Sequence, residues 1–116
     1  MKKYLKDYNL AFFTDNNNGN YFITVTTAGM SAVNDVDIIK RAWQFIVEFC
    51  RNNSVVIVHE RIFASYSAYY NIIKKREEVF TENGMDSTSP FSYICSTTIQ
   101  NEGLAGIHIY LSLIHI

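Results

Sequence analysis

The sequence is poor in the features that usually announce a function. It has one proline, Pro90, and no low-complexity stretch, so a disordered chain does not account for it. Its two cysteines, Cys50 and Cys95, lie far apart inside apolar patterns. A disulfide or a metal site would need partners at short spacing, and none stands near either. Two buried, reduced thiols are expected instead, and these suit a cytoplasm. No sign of charge dominates, since 10 Lys and Arg stand against 11 Asp and Glu for a formal charge of −1. Binding to nucleic acid is therefore not expected. Long hydrophobic runs are missing too. The opening MKKYLKDYNLAFF starts basic, but Lys6, Asp7 and Asn9 interrupt it. Neither a signal peptide nor a membrane span is expected. There is no phosphate-binding glycine loop, dinucleotide fingerprint or nucleophile elbow, and so no cofactor is expected. The His-Glu pair at 59–60 lacks a second histidine four residues after the first, so it is not a zinc-protease motif.

What is present is enough for one well-packed domain. Of 116 residues, 48% are hydrophobic and 15% aromatic, which supports a real core. Residues 8–14 have strand composition, 15–20 (DNNNGN) form a turn, and 21–28 alternate as a strand. Together they predict a β-hairpin with a loop somewhat longer than the tightest kind. A helix follows, capped by Asn34 or Asp35, with Asp37 in its first turn. Ile39, Ala42, Trp43, Ile46, Phe49 and Cys50 recur on one face of it. Residues 54–64, nearly continuous in β-branched side chains, predict a strand buried on both faces. The second helix spans roughly 67–84, with Tyr69, Ile72, Ile73, Arg76, Val79 and Phe80 on one face and Gly84 just past its end. Strands at 90–98 and 104–111 complete the order β-β-α-β-α-β-β. Two helices then cover one face of a mixed sheet, an α+β two-layer sandwich in which strands joined across a helix run parallel.

The uncovered face carries the candidate chemistry. Strict alternation along 54–64 puts Val55, Ile57, His59, Arg61 and Phe63 on one side and Val56, Val58, Glu60, Ile62 and Ala64 on the other. Thr24 and Thr26 share a side opposite Ile23 and Val25. A half-apolar face with a few polar groups predicts burial against another copy or another domain. His59 and Arg61 suit a proton donor and an anion clamp in such a cleft; the plainer reading is an ion pair across the interface. Thr24, Thr26 and His108 can add hydroxyl and imidazole groups to the same cleft. Glu60 faces the helices and is expected to pair with a helix cation such as Arg76 rather than act as a base. Tyr66, Tyr69 and Tyr70 form either an aromatic wall or, more plainly, packing at the start of the second helix.

The order of elements, the helix lengths and the strand at 54–64 resemble the Rid/YjgF family. That likeness implies a chorismate-mutase-like fold, usually trimeric, with ligand sites between subunits. It sharpens over 55–109, where VHERIFA, a helix with an arginine, NGMD, SPFSYI and GLAGI are similar to the N-terminal half of chorismatases. Those are two-part enzymes that hydrolyse the enol-pyruvyl ether of chorismate. The resemblance implies a small carboxylic-acid ligand, and either a homo-oligomer or a second Rid-like domain in a longer chain. Deaminases of the Rid family resemble one another in a Pro-x-Arg-Ser element whose arginine holds the substrate carboxylate. Here the matching residues are Pro90, Phe91, Ser92 and Tyr93. Ser92 supplies neither charge nor fork, so imine deamination by that route is not expected. Two functions remain open: part of a chorismatase-like enzyme acting on a small enol or aromatic carboxylic acid, or a non-catalytic module for oligomerisation or small-acid binding.

The final residues 111–116, LSLIHI, resemble the translation of a transposon mosaic end used as a sequencing adapter. On that reading, 1–110 is a single domain at the front of a longer protein and strand pairing is expected through Tyr110. The alternative is a native strand that happens to be apolar.

Overall fold

The computed structural model describes residues 2–7, 10–27, 34–85, 89–95 and 103–113. Among them are six strands and two α-helices: β1 (Lys2–Asp7), β2 (Leu10–Asn17), β3 (Asn20–Thr27), α1 (Val36–Asn53), β4 (Val55–Ala64), α2 (Tyr69–Glu82), β5 (Phe91–Cys95) and β6 (Leu104–Leu113). They form one mixed sheet in the order β1-β2-β3-β6-β4-β5. Both helices cover one face, so the expected α+β two-layer architecture is the one observed. β4 and β5, joined by α2, pair in parallel. β3 and β4, joined by α1, also run parallel, but β6 lies between them and pairs antiparallel with both.

β1 is an addition to the expected order. The hairpin of β2 and β3 is also tighter than expected. Its strands run to Asn17 and resume at Asn20, leaving the two-residue turn Asn18-Gly19 with φ of 53° and 85°. Positive φ at both positions is the geometry that matches strand twist, and Asn-Gly is the pair best able to adopt it.

α1 starts where its sequence says. Asp35 is the N-cap, and its carboxylate accepts from the backbone N–H of Asp37 at 2.9 Å and of Ile38 at 3.2 Å. The helix ends at Ser54 in a left-handed conformation. Ile39, Ala42, Trp43, Ile46, Val47 and Cys50 are buried against the sheet. Phe45 stacks on Phe12, and Phe49 meets Tyr21 edge to face, tying α1 to β2 and β3. A short 3₁₀ turn, Tyr66–Ala68, leads into α2, and Gly84 adopts φ 69° just after it.

The decisive irregularity is in β4. Ile57 pairs with Leu111 and His59 with Tyr110, so Val58 is an extra residue, a β-bulge. The bulge reverses the alternation predicted for this strand. Val55 and Ile57 face the helices with Glu60, Ile62 and Ala64; Val56, His59, Arg61 and Phe63 face the open side. The expected placement of Val55 and Ile57 on the uncovered face is thus corrected, while His59, Arg61 and Phe63 remain there. β6 pairs through Leu113, beyond Tyr110, and Leu111 is fully buried in the core. Cys95 is exposed, not buried as expected, because β5 is an edge strand and reaches past the cover of the helices. The rest of the strand expected over 90–98, and most of the turn after it, lie outside the described residues.

Candidate functional site

Glu60 and Arg61 are neighbours in sequence with opposite fates. On the covered face, the Glu60 and Arg76 side chains are both fully buried and paired. Arg76 donates to Glu60 Oε2 from Nε at 3.0 Å and from Nη2 at 2.6 Å, and Trp43 Nε1 donates to Oε1 at 2.9 Å. Nη2 also reaches the Ser89 carbonyl and hydroxyl at 3.3 and 3.2 Å. The guanidinium lies 4.7 Å from the ring centres of both Phe80 and Phe91. The predicted pairing is therefore observed, and with Trp43 it engages both carboxylate oxygens. The backbone N–H of Glu60 donates to the Pro90 carbonyl at 3.1 Å, so Glu60 holds the approach to β5 directly by main chain and, through Arg76, by side chain. Nearby, burial pushes the Cys50 thiol up to about 12, with the charge of Glu60 adding to the effect. That thiol is an inert core group.

On the open face, strand register builds three adjoining rows. Thr24, His108, Arg61 and Ser92 form one. Phe22, Tyr110 and His59 form the second. Thr26, Gly106, Phe63 and Ile94 form the third. A Cβ on Gly106 would meet the Val25 carbonyl oxygen at 2.9 Å, so glycine lets β6 lie close to β3 there. A cavity of about 420 Å³ opens over the first two rows, lined by Phe22, Thr24, His59, Arg61, His108 and Tyr110 among others. Four of the five residues singled out from sequence, Thr24, His59, Arg61 and His108, are thus brought together. Thr26 lies on the same face, two positions along β3 and outside the lining.

The contacts within this group are sparse. Ser92 Oγ lies 3.3 Å from His59 Nε2. His108 meets Phe63 edge to face at 4.8 Å. Phe22 and Tyr110 lie 5.1 Å apart, and the Tyr110 hydroxyl donates to Asn20 Oδ1 at 2.9 Å. Arg61 makes no hydrogen bond or ion pair among the described residues. Burial lowers the pKa of His108 below the ordinary 6.5, and the positive charge of Arg61 lowers it further. Around this group the face stays apolar, with Phe13, Phe22, Val56, Val58 and Ile94 all exposed by more than a third.

Phe22, Tyr110 and Ser92 were not singled out as cleft residues. Alternation could have found the first two: Phe22 is two positions before Thr24, and Tyr110 two after His108. Ser92 reaches His59 across a parallel pairing that no local pattern reveals. Of the two readings of the tyrosines, packing at the helix start does not hold for Tyr66 and Tyr70, which with Ser67 and Tyr69 line a separate cavity of about 480 Å³. Tyr69 meets Tyr93 edge to face at 4.8 Å, but Tyr66 and Tyr70 are 83% and 87% exposed. Tyr93 donates to the Ser65 carbonyl at 2.6 Å, and burial raises its phenol to about 12. Among the described residues no cluster of His, Cys, Asp and Glu could hold a metal, and no helix is long and apolar enough to cross a membrane.

The sequence matches no known protein-family model and no curated protein. Among solved structures, the chain is similar to one from Salmonella typhimurium described as a candidate translation initiation inhibitor. The identity is 9%, the TM-score 0.56, and the match covers 97% of each chain. It is also similar to a member of the YjgF/YER057c/UK114 family from Mycobacterium tuberculosis, at 15% identity and a TM-score of 0.43, over 78% of this chain and 79% of that one. At 9% identity the likeness to the Salmonella protein is one of fold, and it extends over nearly the whole chain.

Proposed function

We propose that this chain is a Rid/YjgF-like domain that binds a small carboxylic acid on the open face of its sheet, in a cleft completed by a second copy or a second Rid-like domain. The observation that carries this reading is Arg61. It is a permanent cation on a half-apolar face, without an acidic partner among the described residues, beside His59, His108 and Thr24. A carboxylate supplies what that guanidinium lacks, and Phe22 and Tyr110 offer ring faces to the rest of a small aromatic or enolic acid. Arg61 also bears on the missing deaminase arginine. Ser92 stands where that residue is expected, and Arg61 is its partner across the β4–β5 ladder. The positive charge is therefore kept on this face, carried by the neighbouring strand.

The exposed apolar side chains around the cleft support self-association of this face. The resemblance over 55–109 favours the front half of a chorismatase-like enzyme. The alternative, a non-catalytic acid-binding or oligomerising module, is favoured by the absence of an arginine at position 92. Titration with benzoate and 3-hydroxybenzoate, followed by backbone amide NMR, tests the ligand. Shifts should centre on Thr24, Arg61 and His108, and Arg61→Ala should weaken binding by about tenfold or more. No shift on this face, or unchanged affinity in Arg61→Ala, would remove the carboxylate reading. Light scattering on Val56→Glu tests association, since a charge placed on an apolar residue of a buried interface should weaken it.

A further inference from the structure

We propose that Ser92 and His59 form a nucleophile and base pair for acyl transfer from esters of small carboxylic acids. This activity shares its face with the acid-binding cleft but does not depend on a free acid being the ligand. Three features of the fold bring the two residues together. The bulge at Val58 restarts the alternation of β4 so that His59 and Arg61 face outward while Glu60 turns inward. The parallel pairing of β4 with β5 sets Ser92 opposite Arg61. Glu60 then pins the approach to β5, through its N–H to the Pro90 carbonyl and through Arg76 to Ser89. The pair therefore rests on two strands whose offset is held by buried and part-buried polar contacts, the kind of support that precise catalytic geometry needs.

The resulting geometry suits the chemistry. Ser92 Oγ lies 3.3 Å from His59 Nε2, close to hydrogen-bond reach for a base taking a hydroxyl proton in an unliganded site. Ser92 is exposed, so a substrate carbonyl can approach it. Arg61 is the partner of Ser92 across the ladder and carries a positive charge on the same face, the kind of group that stabilises an oxyanion. In the first half-reaction His59 Nε2 takes the Oγ proton as Oγ bonds to the ester carbonyl carbon. The tetrahedral oxyanion collapses, the bond to the leaving oxygen breaks, and that oxygen takes the proton from His59, releasing an alcohol and leaving an acyl ester on Ser92. In the second, His59 takes a proton from water as its oxygen attacks the acyl carbon. Collapse returns the proton to Ser92 and releases the carboxylic acid.

The test uses the whole 116-residue chain with p-nitrophenyl acetate and a fluorophosphonate probe. Intact-mass and peptide mapping should place one acetyl or phosphonyl group on Ser92. His59→Ala should slow acylation by about a hundredfold, and added imidazole should restore part of the rate. Ser92→Ala should abolish the adduct, and Ser67→Ala, on the surface turn before α2, should leave it unchanged. Labelling that maps elsewhere, an adduct on Ser92 that forms equally fast in His59→Ala, or no adduct at all would overturn the proposal. If Ser92→Ala still binds benzoate while no acylation is seen in the parent, the nucleophile assignment fails and the acid-binding reading stands. If Ser92 is acylated through His59 but no carboxylate binds, the reverse holds.

Discussion

The two faces of the sheet handle polar groups in opposite ways, and β4 shows both within two residues. Glu60 points into the helix layer, where Trp43 and Arg76 satisfy its carboxylate and no part of either charged side chain reaches water. Arg61 points outward, where the neighbouring groups are two histidines, a threonine and aromatic rings, and no acid pairs with it among the described residues. A buried charge that is fully paired is a structural element, because leaving it unpaired would cost several kcal/mol, on the order of the domain's whole stability. A cation held on a half-apolar face without such a partner adds little to folding, and its position is better explained by what it meets from outside.

Deleting Val58 should have the largest effect. Without the extra residue, register can be kept only by turning Val55 and Ile57 outward or by turning Glu60, Ile62 and Ala64 outward. Either choice inverts core residues, and a loss above about 4 kcal/mol is expected. The deletion variant should therefore show no cooperative thermal transition by circular dichroism. Substitution of Val58 by Thr, which keeps the residue count, should melt close to the parent.

Glu60→Ala should come next, at about 3–5 kcal/mol, because it strands the buried Arg76 guanidinium. Urea denaturation measures this. Replacing both partners together, Glu60→Leu with Arg76→Met, should recover most of the loss, which separates the cost of an orphaned charge from the value of the pair. Arg61→Ala on the other face should stay within about 0.5 kcal/mol of the parent in the same assay.

The last described strand gives a smaller contrast. Leu111 is fully buried and Leu113 is 40% exposed, two residues apart on the same strand. Leu111→Ala should cost about 2–5 kcal/mol and Leu113→Ala much less, by the same denaturation measurement. Ending the chain after Tyr110 removes Leu111 and its pairing with Tyr21 and Ile57, so it should destabilise at least as much as the point substitution.

The smallest effect expected is in pH dependence. Burial and Arg61 lower the folded-state pKa of His108 below 6.5, so the unfolded chain takes up this proton first as pH falls. Stability from this group is present above 6.5 and is lost as pH drops from 6.5 through the lower folded value. His108→Gln should flatten that part of a stability-against-pH curve, slightly, because the imidazole is largely exposed. A bound carboxylate would act the other way, favouring the imidazolium, so acid binding should tighten over the same range.

Some elements are legible in the sequence because their signals are local. The 3.6-residue spacing of Ile39, Ala42, Trp43 and Ile46 and the Asp35 cap specify α1 without reference to the rest of the chain. The Glu60–Arg76 pair was also legible, since a carboxylate within an apolar strand requires a cation and Arg76 lies on the apolar face of the next helix. β1 was not. KKYLKD mixes charge into its alternation, as edge strands often do, and pairing with β2 is what makes it a strand. Nor was the exposure of Cys95, which follows from how far the helices extend over an edge.

What the sequence determined by itself was the set of elements whose stability comes from residues a few positions apart, and the residue types available for chemistry. Where the alternation of β4 breaks, and with it the facing of Val55, Val56 and Ile57, was decided by tertiary structure alone. A bulge is one residue with no composition of its own, and it exists because Ile57 and His59 pair with consecutive residues of β6. The meeting of His59 with Ser92, 33 residues away, belongs to the same class. It depends on the offset between two parallel strands, and that offset is set by the buried contacts of Glu60 and Arg76 rather than by any spacing that can be read along the chain.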